Sequence, residues 1–337
     1  MGLTRYAAVH EQPEGPGDAR PTALQVIEDE SLHNGQLTGK TILITGVSSG
    51  IGVEVAKALF VTGATLFLTA RDLNKAKRAL GEALVNSPRV HLMGLHLDSL
   101  ESVRTCAAKF YKQSNKILNV FIANAGVLAA VEGRTKDGFE TQFGTNHLGH
   151  FLLFCLLRPA LLDAANATGS ESRAVFVSSL GHRYGEVDFD DYNFEKRPYS
   201  PHKAYGQSKT ANIWTSNEAD RLYNSHGLRS FSVQPGAIME TGLSTYISEE
   251  RKQILRKDPN LGPRLKSPEQ GAATIVWATV SKSLEKTGGK YLEDAQIAKP
   301  WSPEHGDWAT GYATHVYSPE KERKLWALSL ELVHLDE

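Results

Sequence analysis

The chain has 337 residues, 41% of them hydrophobic and 22% charged, with a formal net charge of −1. That balance excludes collagen, coiled coil and wholesale disorder, and it offers no basic excess to neutralise nucleic-acid phosphates. Two cysteines, Cys106 and Cys155, are too few for a disulfide framework or a cysteine zinc site, and no metal is expected. No apolar run approaches the ~20 residues of a membrane span. None opens the chain as a signal peptide would, so a cytoplasmic protein is expected.

Residues 1–39 are polar and read as an arm with one short helix around Leu24, Ile27 and Leu32, disorder being the alternative. From residue 40 the pattern changes. Short β-rich runs at 41–45, 65–69, 90–95, 117–123, 174–178, 229–233 and 290–292 alternate with helical patterns at 52–60, 73–84, 99–111, 139–162, 205–225 and 268–280. Such alternation predicts βαβ units and a parallel sheet with right-handed crossovers. The runs are apolar at consecutive positions, as strands covered on both faces should be. The expectation is an α/β fold, a doubly wound Rossmann-type sheet of about seven strands. One dinucleotide-binding and catalytic domain would occupy 40–292, leaving a 1–39 arm and a 293–337 extension packed near the substrate side. The apolar run 151–157 reads as a buried helix segment, with a homo-oligomer interface as the alternative.

The first strand runs directly into Gly46-Val47-Ser48-Ser49-Gly50-Ile51-Gly52. A glycine-rich turn that opens a helix presents free N–H groups and a positive dipole end to phosphate. The same residues match G-x-S-x-G, a nucleophile elbow with Ser48 as nucleophile. That reading lacks the upstream strands and oxyanion loop it needs, because only 39 polar residues precede the strand. After the second strand, Ala70 stands where an NAD site places a carboxylate, and Arg71 follows it. A guanidinium suits a 2′-phosphate, so NADP(H) is favoured over NAD(H). Asp72 offers the plainer alternative, a helix cap beside a surface arginine.

A tyrosine and lysine four apart share one helix face, where the ammonium favours phenolate and lowers the tyrosine pKa. The pattern occurs at Tyr192/Lys196, Tyr199/Lys203, Tyr205/Lys209 and Tyr317/Lys321. Prolines 201 and 319 interrupt the second and fourth, and the first lies in an acidic loop. Only Tyr205/Lys209 begins a long helical pattern that leads into another strand.

The conjunction of Thr45-Gly46, Gly50-Ile51-Gly52, Asp98, Asn124-Ala125-Gly126, Asn146, Ser179, Tyr205/Lys209, Pro235-Gly236 and Thr241 resembles the short-chain dehydrogenase/reductase family over about residues 40–292. Asn146-His147-Leu148-Gly149-His150-Phe151 and Ser267-Pro268-Glu269-Gln270-Gly271 are similar to its retinol-dehydrogenase-like and WW-domain-oxidoreductase-like branch, here without WW domains or a membrane anchor. The resemblance implies that Tyr205 donates the proton in carbonyl reduction and that Lys209 lowers its pKa and holds the nicotinamide ribose. It implies that Ser179, rather than Ser178, bonds the substrate oxygen and that Asn146 holds a relay water. Gly46, Ser48, Ser49, Gly50, Ile51, Gly52 and Arg71 would then bind cofactor with Asp98 at the adenine. Asn124, Ala125 and Gly126 would support the strand end, and Pro235, Gly236 and Thr241 the nicotinamide side. Ser49 lacks the basic charge some NADP enzymes carry there, which leaves cofactor preference to Arg71 alone.

Tyr184, Phe189, Tyr192, Phe194 and Tyr199, with Leu243, Tyr246 and Ile247, suggest an apolar substrate wall. The expected activity is hydride transfer between NADP(H) and a carbonyl or alcohol carbon of a small, apolar substrate. The alternatives are a nucleotide-sensing regulatory protein that retains the catalytic set, and the Ser48 hydrolase.

Overall fold

The computed structural model describes residues 2–129 and 131–336. Eight strands form one sheet in the order β3-β2-β1-β4-β5-β6-β7-β8. They are β1 (Thr41–Thr45), β2 (Thr65–Ala70), β3 (Val90–Gly94), β4 (Val120–Ala123), β5 (Ser172–Val177), β6 (Leu228–Gln234), β7 (Lys290–Glu293) and β8 (Gln296–Ile297). All pairings are parallel except β7 with β8. The additional strand is a two-residue hairpin return, too short to show in an apolar pattern. Its turn residues Asp294 and Ala295 both sit at left-handed φ, 52° and 51°.

Successive strand residues feed opposite cores, the period-2 consequence of the pleat. Ile42 and Ile44 pack with α1 (Ala23–Asp29), α2 (Ile51–Phe60) and α9 (Pro268–Val280) on one face. Leu43 and Phe121 pack on the other with α5 (Leu100–Gln113), α6 (Gly149–Thr168), α7 (Pro201–Tyr223) and α10 (Pro319–Leu332). The arm therefore carries the short helix of the first alternative, capped by Thr22, whose hydroxyl accepts from Gln25 N. The 151–157 run is core: Phe151 and Phe154 meet Trp326 of α10 edge-on at 5.0 and 6.2 Å. The helical stretch Phe143–Thr168 is long and apolar enough for a bilayer, but most of it is buried in the fold.

Several boundaries differ from the sequence pattern, each for a local reason. The 117–123 run becomes strand only at Val120, because Asn115 and Lys116 turn through positive φ. Gly81, at φ 82°, splits the 73–84 pattern into α3 (Leu73–Leu80) and α4 (Glu82–Val85). The helix expected from 139 opens as a π-helical turn, Phe143–Leu148, and the helix expected from Tyr205 starts at Pro201. Proline at a first helical position loses no hydrogen bond there. Helix α8 (Glu249–Lys257) has no buried residue, so no apolar stripe marked it; Ser248 caps it and Glu249 and Glu250 occupy its first turn.

Candidate active site

The sheet order reverses between β1 and β4, and a cleft of ≈ 640 Å³ opens there at the carboxyl ends of the strands. Gly50 caps α2 without a side-chain acceptor; Val53 N bonds back to Gly50 O at 3.1 Å, which leaves the N–H groups of Ile51 and Gly52 for a ligand. Asn124 Nδ2 donates to Thr45 O at 2.8 Å and Gly46 O at 3.2 Å. Thr45 Oγ1 in return accepts from the N–H of Asn124 at 2.9 Å and of Ala125 at 3.0 Å. The glycine turn and the end of β4 are thus one hydrogen-bonded unit. Gly46, Ser48, Ser49, Gly50, Ile51 and Gly52 all line the cleft, as do Asn124, Ala125 and Gly126. No histidine lines it among the described residues, so the Ser48 reading lacks the usual histidine partner there.

Gly52 is the position with least tolerance. A Cβ there would stand 2.2 Å from Gly46 O and 2.5 Å from Asn124 Nδ2. Alanine gains about 1 kcal/mol of helix propensity, but overpacking against backbone costs about 1–3 kcal/mol. Gly52→Ala should therefore lower the denaturant midpoint and weaken dinucleotide binding together. A variant with the parent midpoint and undiminished binding would contradict this account.

Farther along the cleft, Thr69 Oγ1 and Asp98 Oδ1 are buried without a hydrogen-bond partner, the latter 4.0 Å from His96 Nδ1. Orphaned acceptors on a cleft wall are what the donors of a bound nucleotide would satisfy. Arg71 is exposed and lines the cleft, while Asp72 caps α3 by accepting from Lys75 N at 2.9 Å. The helix cap of the plainer alternative is therefore present, and Arg71 stands at the cleft as well. Lys75 lines the cleft too. Its signal was the i, i+4 spacing from Arg71, visible once the helix start is known.

Ser179, Tyr205 and Lys209 meet deeper in the cleft. Ser179 hydrogen-bonds the Tyr205 hydroxyl. Ser178 Oγ instead donates to Lys209 O at 2.9 Å and is spent on the fold. Lys209 Nζ donates to Val177 O at 3.1 Å and lies 5.6 Å from the Tyr205 ring centroid. Burial pushes this lysine down to about 8. Burial also raises Tyr205, with the Ser179 hydrogen bond opposing. The net direction is opposite to the one expected from Lys209 alone, because desolvation by burial exceeds the opposing effect of Ser179. A neutral phenol is the form that can donate a proton.

Asn146 lies behind these groups in the π-helical turn, fully buried. Its Oδ1 accepts from Val127 N at 2.8 Å, and its Nδ2 donates to Val127 O and Ser208 Oγ, both at 3.0 Å. A Cβ on Gly126 would stand 3.4 Å from both Asn146 Oδ1 and Lys209 Nζ. His150 Nδ1 donates to Asn146 O at 2.9 Å, and its Nε2 takes the Thr45 hydroxyl at 2.8 Å. One neutral histidine so ties the Asn146 side of the cleft to the glycine side.

Pro235, Gly236 and Thr241 form the opposite wall. A second cavity, of ≈ 280 Å³, adjoins Ser179 and Tyr205 and takes part of its walls from the two extensions. His10, Pro13 and Arg20 come from the arm; Trp308 and Thr310 come from the tail. Arg20 fixes the arm by donating to Leu265 O at 2.6 Å, Gly15 O at 3.0 Å and Arg264 O at 3.1 Å. The tail is fixed to the turn after Ser179. His182 Nδ1 donates to Ser179 O at 2.7 Å, its Nε2 accepts from Ala313 N at 3.1 Å, and Arg183 Nη2 donates to Ala309 O at 2.6 Å. Of the five aromatics expected to wall the substrate, only Tyr184 lines this cavity. Phe189 stacks on Trp214, and Phe194 packs against Tyr199, whose hydroxyl reaches Glu140. Leu243 and Ile247 line the main cleft.

Residues 40–252 match the short chain dehydrogenase family. The chain belongs to that family. The chain is similar to the short-chain dehydrogenase/reductase prx1 of Penicillium roqueforti, 44% identical over 99% of this chain and 96% of the relative. It is 35% identical to human retinol dehydrogenase 13 over 89% and 86% of the two chains. An uncharacterized protein from Mycobacterium paratuberculosis superposes with TM-score 0.66 at 29% identity, covering 89% of this chain and 96% of that one. The family assignment makes the chain an oxidoreductase of nicotinamide type with a small-molecule substrate. The retinol-dehydrogenase-like resemblance holds at the level of sequence.

Proposed function

We propose that this short-chain dehydrogenase uses NADP(H) to interconvert a carbonyl and an alcohol carbon, with Tyr205 as general acid and base. The observation that carries the reading is the convergence of Tyr205, Ser179 and Lys209 on one cleft with the glycine turn. A nicotinamide dinucleotide bound along the cleft supplies the hydride. Tyr205, kept neutral by burial, hands its proton to the carbonyl oxygen as negative charge grows there. Ser179 Oγ steadies that oxygen with a second hydrogen bond. Lys209 holds its ammonium against Val177 O, where it would meet the ribose, and Asn146 fixes the Val127 backbone through both its N–H and its carbonyl. Asp98 and Thr69 serve the adenosine end, and the free N–H groups of α2 serve the pyrophosphate. The arm of residues 1–39 and the extension 293–337 complete the substrate chamber of the 40–292 domain.

The test is consumption of NADPH across a panel of ketones, aldehydes and quinones. Turnover on at least one class supports the reading. Tight dinucleotide binding with no turnover across the panel would favour a nucleotide-sensing role instead. Cofactor choice rests on Arg71 and Lys75 at the end of β2. Losing one charge-assisted phosphate contact at an exposed site costs about tenfold in affinity. Arg71→Ala should therefore weaken NADPH about tenfold and leave NADH unchanged in fluorescence titrations. Equal affinity of the parent protein for the two cofactors would refute the assignment.

A further inference from the structure

The cavity beside Tyr205 and Ser179 is walled by more charge than an apolar substrate requires, and its groups do not cancel. Lys266 is buried and donates to Asp294 Oδ1 at 2.6 Å, which closes that pair. Arg20 is taken up by Asp18 at 2.8 Å and by backbone carbonyls. His10 stands 3.7 Å from Asp294, and burial lowers its pKa, which favours the neutral ring. Among the lysines, arginines and carboxyls of the lining, two are left over. The half-buried Arg264 guanidinium has no ion pair or hydrogen bond with any described residue, although its own carbonyl holds Arg20. Glu293 lies on the strand end beside the strained Asp294-Ala295 turn, 5% exposed, and burial pushes its carboxyl up to about 8. Its neighbours are Asp294, Arg183, Lys266 and the Gly311 N–H, and near neutrality it carries a proton to give away.

We infer that the substrate of this chain is an oxo acid, or the matching hydroxy acid in the reverse direction. Its carboxylate is paired with Arg264 and hydrogen-bonded by Glu293 while its reacting carbon faces Tyr205. The inference rests on the hydride-transfer reading and specifies its substrate. Both leftover groups are donors, and donors in a partly desolvated cavity call for an acceptor that carries charge. A carboxylate balances the single uncompensated cation. A phosphate dianion would overshoot it beside Asp294. The apolar remainder of the lining, with Leu128, Leu180 and Leu261, suits a short hydrocarbon body between the two ends.

The experiment is calorimetric titration of the NADP-loaded protein with 4-phenylbutyrate, its methyl ester and 4-phenylbutyl phosphate. The carboxylate should bind about tenfold or more tightly than the ester, the usual worth of a hydrogen-bonded charge. Arg264→Leu should bring the two within about twofold, Arg264→Lys should keep most of the preference, and the distant surface variant Arg78→Leu should leave it intact. Thermal midpoints taken alongside separate lost binding from lost folding. Equal binding of acid and ester by the parent, an unchanged preference in Arg264→Leu, or tighter binding of the phosphate overturns the assignment. Because binding is read without turnover, carboxylate selectivity without any carbonyl reduction would defeat only the hydride-transfer reading. Reduction of neutral ketones without acid selectivity would defeat only the oxo-acid assignment.

Discussion

Tyr205→Phe is expected to slow the chemical step by about 10²–10⁴-fold, the usual scale for removing a positioned general acid. The substitution deletes one oxygen and keeps the ring, which already packs against Gly181 so closely that a Cβ there would stand 2.8 Å away. The wall therefore stays in place. The dinucleotide cleft is built from the glycine turn, Asn124 and Thr45, none of which depends on the phenol. Single-turnover rates at saturating NADPH should fall while the NADPH dissociation constant holds within about twofold. A loss in rate with binding retained is the signature of an interaction made only as the reaction proceeds. The parent's reductive rate should also decline at high pH as the phenol gives up its proton. The part of that limb above the Lys209 titration near pH 8 should vanish in Tyr205→Phe. Turnover within tenfold of the parent would remove Tyr205 from the chemistry.

What the sequence revealed of this site, and what it withheld, follows from distance along the chain. The glycine turn and the Tyr205/Lys209 pair are local patterns: each sits within one strand–turn–helix or one helical turn, so spacing alone carries them. The choice among four tyrosine–lysine pairs was also local, because prolines 201 and 319 mark helix starts rather than interiors. The second cavity is different. His10, Arg264, Lys266, Glu293 and Trp308 converge from the arm, the segment before α9, the β7 end and the tail. No periodicity links residues so far apart. Lys75 was missed for a smaller reason, since its place on the cleft depends on where α3 begins. The aromatic stretch after Ser179 misled because aromatic content does not encode direction. Phe189 and Phe194 turn inward to Trp214 and Tyr199. The sign of the Tyr205 shift was equally hidden, because a sequence shows the neighbouring lysine but not the burial that raises the phenol.

Stability should peak near pH 6.5 and fall more steeply on the acid side. Three histidines are held neutral by burial: His147 and His182 are pushed down to about 3 and His150 to about 4. His182 and His150 are committed to hydrogen bonds that need the neutral ring, their Nε2 atoms accepting from Ala313 N and the Thr45 hydroxyl, and the buried His147 has no partner at Nδ1. In the unfolded chain these rings take up protons below about pH 6.5. The unfolded state then binds more protons than the native one, so stability drops as pH falls from 6.5 toward the folded values. Glu293, pushed up to about 8, acts in the opposite sense. It holds its proton in the native state from about pH 4.5 to 8, so its contribution declines as pH rises through that window. His10, His91 and His315 are also lowered, against Glu140 and Asp220, which are raised. Histidines outnumber the opposing carboxyls, and three against one among the large shifts leaves a net of about two protons. That is about 2–3 kcal/mol per pH unit between pH 6 and 4.5. Against a total of about 5–15 kcal/mol, such a slope should unfold the protein at mildly acid pH. Urea midpoints at pH 5, 6.5 and 8 measure it, and His150→Gln should reduce the acid slope by about 1.4 kcal/mol per pH unit even if it also lowers the midpoint. A midpoint that is flat between pH 5 and 6.5 would mean that these rings are not held neutral, and the tie His150 makes between Asn146 and Thr45 would lose its basis.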